Sequence, residues 1–170
     1  MSLKLPAPLI LFILLTNCIN AASDQTTPKS NPITQAAVQA GILTCTSRIN
    51  QVSNFLTANT INGAFLFIPA NAPDQHIFST SLEVIPSNKN SMYASASFSP
   101  MPGGGCDAVY DTVDFMQEEC PDVAVKQFKV YGTPGVLKKN IILLNAGNAR
   151  FYLMPAGRKG CVIIKKEVVQ

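Results

Sequence analysis

The 170-residue sequence predicts an α+β fold in which one long N-terminal helix packs on a mainly antiparallel sheet. The sheet is expected to have about six or seven strands and to carry a short second helix, which gives a two-layer sandwich. Three observations predict this class. An apolar stripe near the N-terminus has spacings of three and four, and short runs rich in β-branched and aromatic residues follow it. The composition, 47% hydrophobic and 14% charged, argues against disorder.

The first 22 residues have the three parts of a signal peptide. A positively charged start ending at Lys4 precedes an apolar run at residues 9–15, and Ala21 and Ala22 supply the small residues of a cleavage site. The apolar run is too short to span a bilayer, which needs about 20 apolar residues. We therefore expect an exported protein of the periplasm or the extracellular space, without a transmembrane span.

A polar segment with two prolines, residues 23–32, predicts a flexible lead-in to a single domain at residues 33–170. Anchoring as a lipoprotein through Cys18 is the less favoured alternative, because Asn17 stands where a smaller residue normally precedes a lipid-bearing cysteine. The formal net charge of +3 falls by one when Lys4 leaves with the leader. Charge alone therefore gives no reason to expect a nucleic-acid partner.

Four cysteines remain after the leader: Cys45, Cys106, Cys120 and Cys161. An even number in an exported chain predicts two disulfides. Of the three possible pairings we expect Cys106 with Cys120, which would bracket one strand, and Cys45 with Cys161, which would join the long helix to the sheet. A zinc site is disfavoured because no C-x-x-C spacing occurs and His76 is the only histidine. The lack of an Asn-x-Ser/Thr sequon favours a bacterial protein.

The N-terminal helix is predicted to begin where Pro32 follows Asn31. From there apolar residues recur at spacings of three and four, which predicts one amphipathic helix of about 24 residues. The stripe consists of Val38, Ile42, Cys45, Ile49, Val52 and Leu56. Polar residues occupy the opposite face, so we expect the stripe to pack on the core. Asn62 and Gly63 are expected to end this helical region.

Short runs of β-forming residues after the helix predict an antiparallel meander. The first three strands are expected at residues 64–69, 77–85 and 92–98, with turns rich in proline and asparagine between them. A glycine-rich loop at residues 101–105 follows. Residues 108–116 are expected to form a fourth strand, with a helix as the alternative.

The C-terminal third predicts a short helix and a second meander. Pro121 predicts the start of a helix at residues 122–128. Further strands are expected at residues 139–144, 149–154 and 161–169. The turn at residues 145–148, Asn-Ala-Gly-Asn, is a strong signal for a hairpin. The last strand is expected to form an edge of the sheet, where Lys165 and Lys166 would discourage aggregation.

The absence of a catalytic constellation favours an exported, non-enzymatic binding or interaction protein. An inhibitor, an immunity-type protein and a component of an envelope assembly all fit this description. Charge guides the choice of contact residues. The segment after Asp122 contains nine lysines and arginines but only one acidic residue, Glu167. The expected contact residues lie in the glycine-rich loop and in this basic segment: Met101, Gly103, Gly104, Lys138, Lys139, Arg158 and Lys159. The expected partner is a protein or an anionic envelope component; no nucleic acid, metal or cofactor is expected.

The alternative function is a small exported hydrolase that uses acidic residues around Asp107, Asp111 and Asp114. Six of the ten acids of the chain lie between residues 107 and 122. Their spacing does not match a calcium-binding loop, so we expect a solvated acidic edge instead. A serine or cysteine triad is not expected, because His76 is the only histidine that could serve as its base.

Overall fold

The computed structural model describes residues 30–87, 90–129, 132 and 134–170. The predicted signal peptide, residues 1–22, and residues 23–29 of the predicted lead-in lie outside this range. The α-helices are α1 (Pro32–Gln39), α2 (Thr46–Thr57) and α3 (Cys120–Gln127), and a short 3-10 turn covers Pro73–Gln75. The strands are β1 (Thr60–Phe67), β2 (Phe78–Pro86), β3 (Met92–Pro100), β4 (Cys106–Met116), β5 (Gly135–Val136), β6 (Ile142–Ala146), β7 (Ala149–Ala156) and β8 (Gly160–Val169).

The predicted long N-terminal helix is wrong, because the chain forms two short helices, α1 and α2, in its place. Gly41 has a φ of +88°, a left-handed conformation that favours glycine and ends α1. The Asp74 carboxylate accepts hydrogen bonds of 2.7 Å from the backbone N–H groups of Leu43 and Thr44 and so holds the connecting turn. The predicted α+β class is therefore wrong as well. The described part of the chain is mainly β, with eight strands rather than about six or seven.

The ends of the two helices show which local signals were informative. The predicted start is confirmed, since Pro32 is the first residue of α1 and the Asn31 side chain accepts a 2.9 Å hydrogen bond from the N–H of Ile33. The predicted end is wrong. Asn62 and Gly63 lie inside β1, and the turn after α2 contains Asn59, whose φ of +56° is tolerated best by glycine, asparagine and aspartate.

All eight strands form one antiparallel sheet in the order β1-β2-β3-β4-β8-β7-β6-β5. Two meanders, β1 to β4 and β5 to β8, meet where β4 pairs with β8. Strand β8 thus lies in the middle of the sheet, and its predicted position at an edge, with Lys165 and Lys166, is wrong. The predicted hairpin is confirmed, because Ala146 pairs with Ala149 across the turn between β6 and β7.

The helices lie on one face of the sheet, which we call the covered face. Helices α1 and α2 pack with β1 to β4 around the stacked rings of Phe78 and Phe98. Helix α3 packs on β6, β7 and β8 around Leu144 and Leu153. The core therefore consists of two apolar clusters side by side. Alternate residues of every strand point to the opposite face, which we call the open face, and none of the three described helices packs on it.

The two disulfides join Cys45 to Cys106 and Cys120 to Cys161, with Cα–Cα distances of 5.1 Å and 5.0 Å. The predicted pairing is therefore wrong. Cys106 begins β4 and Cys120 follows its end, so an eleven-residue strand about 33 Å long separates them. Each bridge instead ties a helix to the strand beneath it. Two such bridges are compatible with an exported, disulfide-bonded protein. None of the helices in residues 30–170 that the structure describes is long and apolar enough to cross a membrane.

Candidate functional site

Four of the predicted contact residues lie together at one end of the sheet. Lys138 and Lys139 lie in the turn between β5 and β6, which is closed by a 2.9 Å hydrogen bond from the N–H of Leu137 to the carbonyl oxygen of Ile141. Arg158 and Lys159 lie in the turn between β7 and β8. The two turns are neighbours because β6 pairs with β7 in a register that puts both turns at the same end of the sheet. We call these four residues the basic end.

No described acidic residue forms an ion pair with the basic end. All four side chains are exposed. The ion pairs found among the described residues join Lys126 to Glu118, Lys165 to Glu167 and Lys166 to Asp111, and so leave out all four cations of the basic end. A shallow pocket of about 360 Å³ lies beside the first turn and is bounded by Leu137, Ile141 and Met154 as well as by the lysines. This end of the sheet therefore combines uncompensated positive charge with apolar contact area.

The other predicted contact residues lie elsewhere. Met101, Gly103 and Gly104 form the loop between β3 and β4, where the N–H of Met101 donates to the carbonyl oxygen of Gly105 at 3.1 Å. This loop precedes β4, whereas the basic end lies beyond the other end of that strand, about 33 Å away. The seven predicted contact residues thus form two separate groups, and one partner of ordinary interface size would contact one group or the other.

A polar cluster that was not predicted from the sequence lies on the covered face between the two apolar clusters. Tyr110 on β4 lies opposite Glu167 on β8, and its hydroxyl donates a hydrogen bond to the Glu167 carboxylate. The Lys165 ammonium is 2.6 Å from the same carboxylate and also donates to the Tyr110 oxygen. Its Nζ atom lies 5.2 Å from the ring centroid of Phe55 and 4.9 Å from that of Tyr110, which adds cation–π attraction.

The protonation states of this cluster are held in their ordinary neutral-pH forms. Burial and the Glu167 carboxylate raise the pKa of Tyr110. Burial by itself lowers the pKa of Lys165, but its bonds to Glu167 and Tyr110 outweigh burial, so this pKa is raised. The hydrogen bonds from Lys165 and then Tyr110 lower the pKa of Glu167. The raised pKa values keep Lys165 charged and Tyr110 protonated near neutral pH, so neither side chain is activated as a nucleophile or a base.

A signal for this cluster is present in the sequence. On a strand, Lys165 and Glu167 share a face with Cys161 and Ile163, which are both buried. Next to the cluster a groove of about 750 Å³ lies on the covered face beside the end of α3, where Gln127 lines it. Met92, Asp114 and Lys165 are among the side chains that line it. The groove is open, and Lys165, the one cation among its described lining residues, is already bound to Glu167.

The acidic residues of the predicted hydrolase do not converge. Asp107 and Asp111 point to the open face, four residues and about 13 Å apart along β4, which exceeds the separation of a catalytic carboxylate pair. Asp111 is bound to Lys166, with 2.7 Å between Oδ1 and Nζ. Asp114 lies on the covered face and accepts from the N–H of Phe115. Within the described ranges no group of three or more histidine, cysteine and acidic residues could hold a metal ion.

His76 and its acidic neighbour have separate surroundings. His76 is exposed at the end of the 3-10 turn. The Asp74 carboxylate instead accepts from the Thr44 hydroxyl at 2.8 Å as well as from the two backbone N–H groups described above. These hydrogen bonds, the one from the Thr44 N–H first, lower the pKa of Asp74. Asp74 thus has a structural role, which was not predicted from the sequence.

Comparisons with protein families, with curated protein sequences and with solved structures find no match to this chain.

Proposed function

We propose that this chain is an exported, non-enzymatic binding protein whose basic end docks on an acidic surface of a partner protein. The observation that carries the proposal is the placement of Lys138, Lys139, Arg158 and Lys159 on two neighbouring turns without a described anion beside them. The two disulfides support export to an oxidising compartment. An inhibitor, an immunity-type protein and an envelope-assembly component would all use such a docking surface.

The surroundings of the four cations favour a protein over an anionic polymer. Val136 and Leu137, next to the lysines, are each 57% exposed, and Met154 is 37% exposed. Protein interfaces combine an apolar centre with a charged rim, and this end of the sheet supplies both. A long polyanion would be met best by a row of cations along a face, whereas these four occupy two adjacent turns.

The charges are expected to act mainly on the rate and on the salt dependence of association. An exposed ion pair contributes about 0.2–1 kcal/mol, so four of them alone do not make a tight complex. Uncompensated charge of one sign nevertheless accelerates encounter with an acidic surface. The screening length is about 8 Å at physiological ionic strength, so binding should weaken clearly as salt is added.

Two further observations support a non-enzymatic role. The Tyr110, Lys165 and Glu167 cluster keeps each group in its ordinary charge state, as the directions of their pKa shifts indicate. The aspartates of β4 lie on different faces or too far apart to act as an acid–base pair. We therefore propose binding rather than hydrolysis.

The experiment is a pull-down with the exported protein, recovered with its disulfides formed, from envelope and culture-supernatant extracts at low and at moderate salt. The variants K138Q/K139Q and R158Q/K159Q each remove two charges from the basic end. The control K129Q/R150Q also removes two charges, but from outside the basic end. We expect a stoichiometric protein partner that the wild type and the control retain at low salt and that both basic-end variants lose.

Three results would contradict the proposal. Equal retention by all variants would show that the basic end does not carry binding. Retention that does not change with salt would rule out an electrostatic contact. Binding to the anionic polymer fraction of the envelope, with no protein partner, would replace the proposed partner by a polymer.

A further inference from the structure

Strand β1 is a long and unprotected edge of the sheet. Among the residues that the structure describes, β1 pairs on one side only, with β2. Its eight residues include no charge and no proline, which are the usual devices against unwanted strand pairing. The strand at the opposite edge, β5, has only two residues. Strand β1 therefore exposes a row of backbone N–H and C=O groups to which an extended segment can add.

A depression on the open face adjoins this edge. It has a volume of about 520 Å³, and Gly63 forms part of its floor. A Cβ atom on Gly63 would meet nothing within 4 Å, so the space above it is empty. Phe65 and Tyr93 border the depression, and the Tyr93 hydroxyl is 2.9 Å from the hydroxyl of Ser81, which holds the ring in place. Glu83 lies directly opposite Gly63 on β2.

Glu83 gives the depression a charge. It is the only charged residue of β1, β2 and β3. Its side chain is exposed and forms none of the ion pairs found in the described part of the chain. Aromatic rings attract cations to their faces, so a carboxylate beside Phe65 and Tyr93 suits the long side chain of lysine or arginine.

We propose that β1 binds an extended peptide segment of a partner protein as an additional strand, with a lysine or arginine side chain in the depression against Glu83. Backbone hydrogen bonds supply affinity in this mode, and the depression supplies selectivity for one side chain in the segment. A second copy of this chain is a poorer occupant. Pairing through its own β1 would bring no cation to Glu83, since β1, β2 and β3 contain none.

The test is an NMR titration of the isotope-labelled exported protein with two synthetic peptides. Both have eight residues of alternating threonine and valine; one has lysine at a central position and the other has glutamate there. We expect the lysine peptide to shift the backbone amide signals of β1 and to bind about fivefold more tightly than the glutamate peptide. The variant Glu83→Gln should remove this preference while the β1 signals still shift.

Two further variants separate binding from folding. Gly63→Val fills the depression at a position with free space, where valine also favours strand structure, so it should abolish the lysine preference in a folded protein. Ile61→Lys places a charge on the edge at a side chain that is 75% exposed, and it should abolish binding of both peptides. The matched control Val125→Lys adds the same charge on α3, at an exposed side chain, and should bind like the wild type.

The proposal is overturned if the peptides shift signals away from β1 or if Ile61→Lys binds as the wild type does. It is also overturned if no peptide binds while the protein self-associates and Ile61→Lys abolishes that association, because the occupant would then be a second copy. The variant K138Q/K139Q should bind both peptides normally. Failure of this inference is therefore distinguishable from failure of the proposed function at the basic end.

Discussion

Close packing around Gly160 leads to a sharp prediction about stability. Gly160 begins β8 and pairs with Ala156 across the last turn. A Cβ atom on Gly160 would lie 2.4 Å from the carbonyl oxygen of Ala156 and 2.7 Å from the ring of Phe115, whereas ordinary contact begins at 3.4 Å. The Phe115 ring is half exposed and can move aside. The Ala156 carbonyl belongs to the backbone, so the turn itself must open to accept the extra atom.

We expect Gly160→Ala to lower the free energy of unfolding by about 2–3 kcal/mol, in the upper part of the range for overpacking. In a domain of this size the melting temperature should fall by about 4–12 °C. The matched substitution Gly63→Ala is also in a strand, but its added Cβ atom would have no neighbour within 4 Å. Because glycine weakens a strand relative to alanine, this substitution should stabilise the protein by about 0.5–1 kcal/mol. Urea unfolding with an unchanged m value is the appropriate assay.

Either of two results would refute this reasoning. If Gly160→Ala unfolds at the same urea concentration as the wild type, the close approach of Ala156 and the register of β7 with β8 are wrong. If Gly63→Ala is destabilising, the space above β1 is not free, and the depression beside that strand is not available to a partner.

Three further predictions concern the covalent and polar contacts. Replacing Cys120 and Cys161 with alanine should lower the free energy of unfolding by about 4 kcal/mol, because their bridge closes a loop with a sequence separation of 41 residues. Urea unfolding measures this free energy, and a loss below about 1 kcal/mol would contradict the prediction. Because its bond to Lys165 lowers the pKa of Glu167, that carboxylate should stabilise the fold above its ordinary pKa of 4.5 and lose this effect as pH falls through the lower folded value. The difference in unfolding free energy between wild type and Glu167→Gln should therefore shrink in acid; a constant difference between pH 7 and pH 3 would argue against the shift. Asp74→Ala should lower the free energy of unfolding by about 1 kcal/mol in the same assay, because it removes the acceptor for two backbone N–H groups. An unchanged urea midpoint would show that these hydrogen bonds are not needed.

Local features of the fold were predictable where the signal lies within a few residues. Asn31 and Pro32 mark the start of α1, and the turn between β6 and β7 follows from Asn-Ala-Gly-Asn at residues 145–148. The break at Gly41 was hidden, because Ile42 and Cys45 continue the apolar spacing and are buried in the core although they lie between two helices. Periodicity reports which side chains are buried, and it does not report whether the helix is continuous.

Features that depend on distant pairing were not predictable. The pairing of β4 with β8 joins segments about 50 residues apart and puts β8 in the middle of the sheet. The Cys120–Cys161 bridge and the Tyr110, Lys165 and Glu167 cluster both depend on this one contact. Charge alone marked the basic segment after Asp122, which contains the four residues of the basic end. Their separation from the loop at Met101 required the sheet topology.

Site-specific photocrosslinking in cells that produce the protein tests the proposed docking surface most directly. A photoreactive residue in place of Leu137, which is exposed beside the basic turns, should form one discrete adduct with a protein partner. That adduct should disappear in the R158Q/K159Q variant. The same photoreactive residue in place of Met101, at the opposite end of the sheet, should form none. An adduct from Met101 alone, or one from Leu137 that persists in the charge variant, would contradict the account.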